Sequence, residues 1–369
     1  MFQKNITHYL ASTLLFFTPL AAETDSKIPP LKRQLKESPY NLAQYVDLAE
    51  AFLAEGKIDE AERTYFKALS LNPDFIDIAF GKEINTWTEE EHWFFGNHFF
   101  FKPAWKGEDL RKKTILVYAK KGFGDSLQFS RFLKLLKQKA QKVMFIPQKP
   151  LVDLFRVSFA GEVEIVDPDK KLSELEYDTH ASLLALPHLL DIHISDIQKS
   201  PYLQINERMI SEAKKELNPN TFNIGIVWQG DPENIHNEDL STSLSTFSSL
   251  FDLPNVTFYS LQKGAAEKEL KNSPHIINLS PKIKTFADTA AFMKGLDLIV
   301  TIGTSTSHLA GALGCPTIAL LPQNHDIKWA GENNDNLWYD SVQAMRQEEL
   351  GNWNELMKRV KTEINNRIR

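Results

Sequence analysis

Residues 297–314 read as an apolar strand that breaks at Gly303 and turns into a helix. Such a start leaves backbone N–H groups without intrahelical partners, facing any anion placed there, a diphosphate for example. Thr304, Ser305 and Ser307 add hydroxyl donors to the turn, and His308 sits one turn inside the helix. Gly122-Phe123-Gly124-Asp125 is a second glycine-broken turn, and its aspartate reads either as a helix cap or as a group with chemistry to do.

Other chemistries lack their residues. Cys315 is the only cysteine, so neither an intrachain disulfide nor a thiolate metal cluster can form. Between Gly314 and Pro316 it reads as a small core residue, with nothing nearby to stabilise a thiolate. His92 and His98 stand six apart and His188 and His193 five apart, spacings that do not bring two ligands to one helical face. No Gly-x-Ser-x-Gly elbow and no P-loop occur, and no metal site is expected.

A chain of 369 residues, 42% hydrophobic and 24% charged, has room for about two or three domains. Its net charge of −6 argues against nucleic-acid and anionic-membrane partners. The local basic patch from Lys134 to Lys142 reads as the solvated side of a helix.

Residues 1–22 carry Lys4, an apolar run from Leu10 to Ala22 and small residues at Ala21-Ala22, the pattern of a secretory signal. The run is too short to span a bilayer, and no other stretch is long and apolar enough. The expected location is therefore periplasmic or extracellular if this signal operates, and cytoplasmic otherwise.

A linker over 23–39, broken at Ile28-Pro29-Pro30, leads into paired amphipathic helices over 40–73. Tyr45, Leu48, Ala49, Phe52, Gly56, Ala61, Tyr65, Ala68, Leu71 and Pro73 match the tetratricopeptide consensus. Arrays of this kind need about three repeats to bury a continuous core, and one copy is legible. Two readings stay open: a groove for a protein partner, or a repeat docked on its own chain. Trp87 to Trp105, with His92-Trp93-Phe94-Phe95 and Phe99-Phe100-Phe101, is too apolar for a free linker and favours docking within a segment spanning 40–110.

From Lys112 short β-branched runs alternate with helices. Strands are expected over 114–118, 143–146, 163–166 and 177–180, with a helix over 125–137. After a junction over 200–222, further strands are expected over 223–228, 256–261, 276–278, 298–302 and 317–321, with a last helix over 348–368. The alternation predicts an α/β protein with two parallel sheets, one over 111–205 and one over 206–369, and a cleft at the carboxyl ends of their strands.

Five short motifs occur in order: Gly122-Phe123-Gly124-Asp125 with Gln128-Phe129, Ile226-Val227-Trp228-Gln229-Gly230, Ser260-Leu261-Gln262-Lys263-Gly264, Phe286-Ala287-Asp288-Thr289-Ala290, and His308-Leu309-Ala310-Gly311-Ala312-Leu313-Gly314. Together they resemble the family-9, heptosyltransferase-like glycosyltransferases, in the version fused to tetratricopeptide repeats. The resemblance spans roughly Trp105 to Trp353.

It implies two Rossmann-like domains of the GT-B type, the first on the acceptor side and the second on the nucleotide-sugar side. The implied reaction moves a sugar from a nucleotide donor to an acceptor hydroxyl with inversion, without metal or cofactor. Inversion in one displacement needs a base near the acceptor hydroxyl, and the family's carboxylate falls on Asp125. Trp228, Lys263, Thr304, Ser305 and His308 are the implied donor-binding residues.

The chain departs from the family twice. Gly303 stands where an acidic residue usually meets donor hydroxyls. The loop over 231–246 holds Asp231, Glu233, Glu238 and Asp239 and no Lys or Arg, where the family brings cations to the departing diphosphate. The alternative expectation is thus an inactive homologue that keeps the fold as a binding or scaffold module.

Overall fold

The computed structural model describes residues 26–37, 42–55, 102–119, 122–192, 197–231, 240–323 and 338–368, with Lys57, Glu60, Thr64 and Trp329. The expected signal segment, the second helix of the repeat, most of the aromatic stretch before Trp105 and positions 232–239 of the acidic loop lie outside the described residues.

At the N-terminus α1 (Ile28–Glu37) packs on α2 (Leu42–Ala54). The expected break at Pro29-Pro30 is instead the first turn of α1, where a proline's missing N–H would have no intrahelical acceptor. Leu35, Leu48, Ala49 and Phe52 are buried, and the Lys32 ammonium lies 5.0 Å from the Phe52 ring centroid.

Two parallel sheets follow. The first has the order β3–β2–β1–β4, from β1 (Thr114–Tyr118), β2 (Lys142–Ile146), β3 (Glu164–Ile165) and β4 (Thr179–Ser182). The second has the order β10–β9–β8–β5–β6–β7. Its strands are β5 (Phe222–Val227), β6 (Val256–Ser260), β7 (Ile276–Asn278), β8 (Leu298–Ile302), β9 (Thr317–Leu321) and β10 (Val342–Arg346). Every pairing is parallel. Helices cover both faces, which is why β8 and β9 are buried along their whole length and read as continuous apolar runs.

Renumbered within its own half, the second sheet has the doubly wound order 3-2-1-4-5-6, and the first is its 3-2-1-4 part. In such sheets the chain winds away in opposite directions from the two middle strands, opening a crevice at their carboxyl ends. That point lies between β1 and β4 in the first sheet and between β5 and β8 in the second.

The helices are α3 (Phe123–Phe129) and α4 (Phe132–Lys139) after β1, α5 (Val152–Ser158) after β2, α6 (Leu186–Leu189) after β4, and α7 (Glu207–Lys214) before β5. In the second half come α8 (Phe286–Met293), α9 (Ser305–Leu313) and the closing α10 (Trp353–Ile368). The single helix expected over 125–137 is thus two, divided at Ser130-Arg131. Strand β10 has no counterpart in the sequence expectation.

Leu356, Met357, Val360 and Ile364 form the buried stripe of α10, each contributing about 1.5–3 kcal/mol by leaving water. One apolar cluster runs through both halves, from Leu127 and Phe129 of α3 to Leu309 and Ala310 of α9. The two sheets are therefore joined by core packing.

Candidate active site

Strands β1 and β8 each lead into a glycine-broken turn and then a helix, and the two helices meet. The approach of α3 to α9 is close because Gly124 carries no side chain: a Cβ there would lie 3.1 Å from Cδ2 and 3.7 Å from Nε2 of His308, and 3.7 Å from the Cα of Ser305. The first turns of α3 and α9 thus form one half-exposed junction between the sheets.

On the α3 side, Asp125 lies in the first helical turn and folds back over Gly122, where an added Cβ would come within 2.3 Å of its Oδ2. The Gln148 amide donates to the Gly122 carbonyl at 3.2 Å, tying this turn to the segment after β2. On the α9 side, Thr304 is the N-cap in extended backbone and makes no side-chain cap bond. Backbone N–H groups of Ser305 and Thr306, at the first two helical positions, have no intrahelical acceptor by construction. Ser307 is committed inward, its hydroxyl donating to the Thr304 carbonyl at 2.6 Å.

His308 is buried and clamped. Its Nδ1 is 3.1 Å from the Tyr339 hydroxyl, and its ring stacks on Trp329 at a centroid distance of 4.8 Å. Trp329 also explains Gly303: a Cβ at that position would lie 2.6 Å from Leu321 Cδ2 and 3.3 Å from Trp329 Nε1. Any side chain there would require Leu321 to shift.

Trp228 and Lys263 sit elsewhere. Trp228 is fully buried in the second sheet's core, its indole N–H donating to Glu269 Oε1 at 3.1 Å, so neither ring face is open to a ligand. This corrects the implied donor-binding role of Trp228; an apolar strand end packs its aromatic inward. Lys263 is exposed after β6, with its ammonium held by the Ser280 carbonyl at 3.0 Å and hydroxyl at 3.1 Å, toward the β7 edge of the sheet. The junction therefore gathers Asp125, Thr304, Ser305 and His308, and not Trp228.

Several residues of this region escaped the sequence reading. Gln262 is buried with all four amide bonds made: Oε1 accepts from the N–H groups of Trp228 and Gln229 at 3.0 and 2.9 Å, while Nε2 donates to the carbonyls of Gln229 and Lys263, both at 2.9 Å. It fixes the ends of β5 and β6 to each other. Asp288, in another motif, closes a capping box with Thr285 at the start of α8. Trp329 and Tyr339 flank His308, and Arg131 lies against the Tyr339 ring; they come from distant points in the chain, and no local pattern links them.

Burial pushes the Cys315 thiol up to about 11, in keeping with a core residue. Among the described residues no group of three or more His, Cys, Asp or Glu side chains is placed to hold a metal ion, and no helix is long and apolar enough to cross a membrane.

Two facing doubly wound sheets with a junction at their carboxyl ends are the α/β fold of GT-B glycosyltransferases. The fold is shared with the crystal structure of a glycosyl transferase of family 9 from Veillonella parvula, at a TM-score of 0.51 and 14% identity, over 70% of this chain and 91% of that one. The ADP-heptose lps heptosyltransferase II of E. coli aligns at a TM-score of 0.48 and 15% identity, over 69% of this chain and 98% of that one.

Residues 256–361, from β6 into α10, match the family described as glycosyltransferase family 9 (heptosyltransferase). A family-9 glycosyltransferase-like domain is thereby supported. A curated relative, protein FlbA of Caulobacter vibrioides, is 23% identical over 290 residues, covering 70% of this chain and 48% of its own. The chain spans about half the length of that relative.

Proposed function

We propose that the junction of α3 and α9 is a glycosyl-transfer site, in which a nucleotide-sugar donor lies against the second sheet and an acceptor hydroxyl against the first. The observation that carries this reading is the contact of Gly124 with His308 and Ser305, which sets a half-exposed carboxylate beside a helix start rich in donors. Asp125 takes the acceptor's proton as its oxygen attacks the anomeric carbon from the side opposite the leaving diphosphate, which inverts that centre. Thr304, Ser305 and His308 stabilise the charge growing on the diphosphate, helped by the N–H groups at the start of α9. No metal or cofactor is needed in this scheme. The location follows the segment over 1–22, exported if that signal operates and cytoplasmic otherwise, and the N-terminal helices serve either a protein partner or docking on the chain itself.

Titration calorimetry with ADP, GDP, UDP and CDP tests donor binding: one of them should release binding heat, and Asp125→Asn should bind it equally well. No heat with any of the four, in folded protein, would sink the reading. A second reading, a homologue that binds without transferring, is favoured by Gly303, packed under Leu321 and Trp329, which offers the donor no carboxylate. It predicts nucleotide binding with no turnover, and Asp125→Asn indistinguishable from wild type in the cell.

A further inference from the structure

Three glutamines are buried among the described residues, and they differ in how far their amides are bonded. Gln262, after β6, makes four bonds to main-chain groups, as a glutamine kept for structure does. Gln347 accepts from the Gly351 N–H at 3.1 Å. Gln128, on α3, makes none: its Oε1 and Nε2 are both sealed from solvent, and neither has a protein hydrogen-bond partner. Burying an amide with both ends unbonded is unfavourable, and a methionine of the same length would fill the space without that penalty.

The place of Gln128 on α3 says what the amide faces. Residues four apart share a helix face, so Gln128 stands beside Gly124, the point at which α3 meets His308 and Ser305 of α9. Its neighbour Phe129 packs on Trp338 at a ring-centroid distance of 5.9 Å. Both contacts are with the second half of the chain, and on the helix surface Gln128 lies between them. A helical side chain leans toward the start of its helix. Here that direction leads to the half-exposed first turn with Asp125, three residues and about 4.5 Å back along the axis. The main chain is fixed in place, since the Gln128 carbonyl accepts from Arg131 Nε at 3.0 Å and from the Tyr202 hydroxyl at 3.2 Å.

An amide offers an acceptor and two donors and carries no charge. It suits a pair of neutral hydroxyls and does little for a diphosphate, which a helix start serves better. Sealed as it is, the Gln128 amide meets a ligand only when α3 and α9 part, and the unbonded amide itself favours that parting.

We propose that Gln128 is a substrate-recognition residue of the junction. When α3 and α9 part, its amide binds a hydroxyl pair of the transferred sugar; when they close without ligand, it is left unbonded. The uncompensated amide stands on the geometry alone, and the sugar as its partner rests on the proposed function.

Scanning calorimetry of the full-length protein without ligand tests the first part. Gln128→Met should raise the transition midpoint by about 1–3 °C. Gln262→Met, which strips two N–H groups and two carbonyls of their partner, should lower it by about 3–8 °C. A midpoint that is unchanged or lowered in Gln128→Met overturns the inference, because the amide is then bonded, to an internal water for example, and is structural. Titration with ADP, GDP, UDP and CDP, and with the glucose conjugate of each, tests the second part. The affinity for the conjugate divided by that for its diphosphate should fall about 5- to 10-fold in Gln128→Met relative to wild type. An unchanged ratio, where wild type binds both, overturns the sugar assignment and leaves the proposed function standing. No binding of any of these probes by folded wild type fails the proposed function and the sugar assignment together, and the midpoints alone then decide whether the amide is uncompensated.

Discussion

Helices α3 and α9 both begin at a glycine-broken turn beside the middle strands of a parallel sheet, yet their first turns differ in charge. The first turn of α3 carries its own carboxylate, Asp125, folded over the glycine that precedes the helix. The first turn of α9 carries no acidic residue, and its N-cap makes no side-chain bond to the backbone. A helix start holds roughly half a positive charge. In α3 that charge is answered by a carboxylate of its own first turn, and in α9 the first turn holds no acidic residue. One supersecondary unit is used twice, and under the proposed function it would give a proton acceptor on one side of the junction and an anion receiver on the other.

Removing the carboxylate separates the two roles most sharply. Asp125→Asn should lower transfer by about 10²- to 10⁴-fold while nucleotide affinity stays within about twofold, because the receiving turn is untouched. Initial rates of nucleotide release set beside calorimetric affinities measure both. Affinity falling in step with the rate would mean that Asp125 holds ligand and is no base.

The converse change fills the unanswered helix start. Ser305→Asp should weaken nucleoside diphosphate binding by about 10- to 100-fold, and should raise stability by about 0.3–1 kcal/mol, as a carboxylate in a first turn does. Urea denaturation reads the second effect. A stabilised variant that binds as before would show that the anion does not sit at α9.

Gly124 lets α3 approach α9 and Gly311 seats α9 on the Tyr339 ring, and the two differ in how much give surrounds them. At Gly311 a methyl group would come within 2.4 Å of the Tyr339 ring, which is buried and cannot retreat, so Gly311→Ala should destabilise by about 1–3 kcal/mol. At Gly124 the nearest atom is 3.1 Å away on the His308 edge. Gly124→Ala should therefore destabilise less, by about 0.5–1 kcal/mol after the gain in helix propensity is counted. Denaturation midpoints of the pair give the order directly, and a reversed order would place the rigid contact on the α3 side.

What the sequence disclosed follows from where the information is local. Strands such as Leu298–Ile302 and Thr317–Leu321 are fully buried, so their residue types alone mark them. Both turns of the junction were legible for the same reason, since glycine followed by hydroxyls or aspartate is a short-range signal. Strand β10 was not: Val342-Gln343-Ala344-Met345-Arg346 has weak β-propensity, and its position at a sheet edge needs only alternate burial. The break between α3 and α4 was hidden because both helices keep an apolar face, while the chain turns at Arg131 to bury its guanidinium against the other sheet. Trp228 misled because a strand end at a crevice and a strand end in a core carry the same aromatic. The cluster of His308, Tyr339 and Arg131 joins residues up to 208 positions apart, a relation that one sequence does not display.

The far end of α9 supplies the smallest effect and a control on the comparison. Where its first turn is half-exposed, its last is sealed: Gly314 adopts the left-handed conformation against Pro201, and Cys315 behind it is buried. Burial raises the thiol from 9.0 to about 11, so the folded chain holds this proton more tightly than the unfolded one. The sign follows: below the unfolded value both states carry the proton and stability is unaffected, and as pH rises from about 9 through 11 the folded state loses ground. The loss approaches on the order of 2 kcal/mol. Cys315→Ala should lack that slope, so the difference between the two proteins' pH–stability curves isolates it from tyrosine and lysine titration. Native protein at pH 8 should resist iodoacetamide until denaturant unfolds it. Alkylation at the rate of a free thiol in native protein would mean that α9 opens at its sealed end, and the contrast between its two ends would be lost.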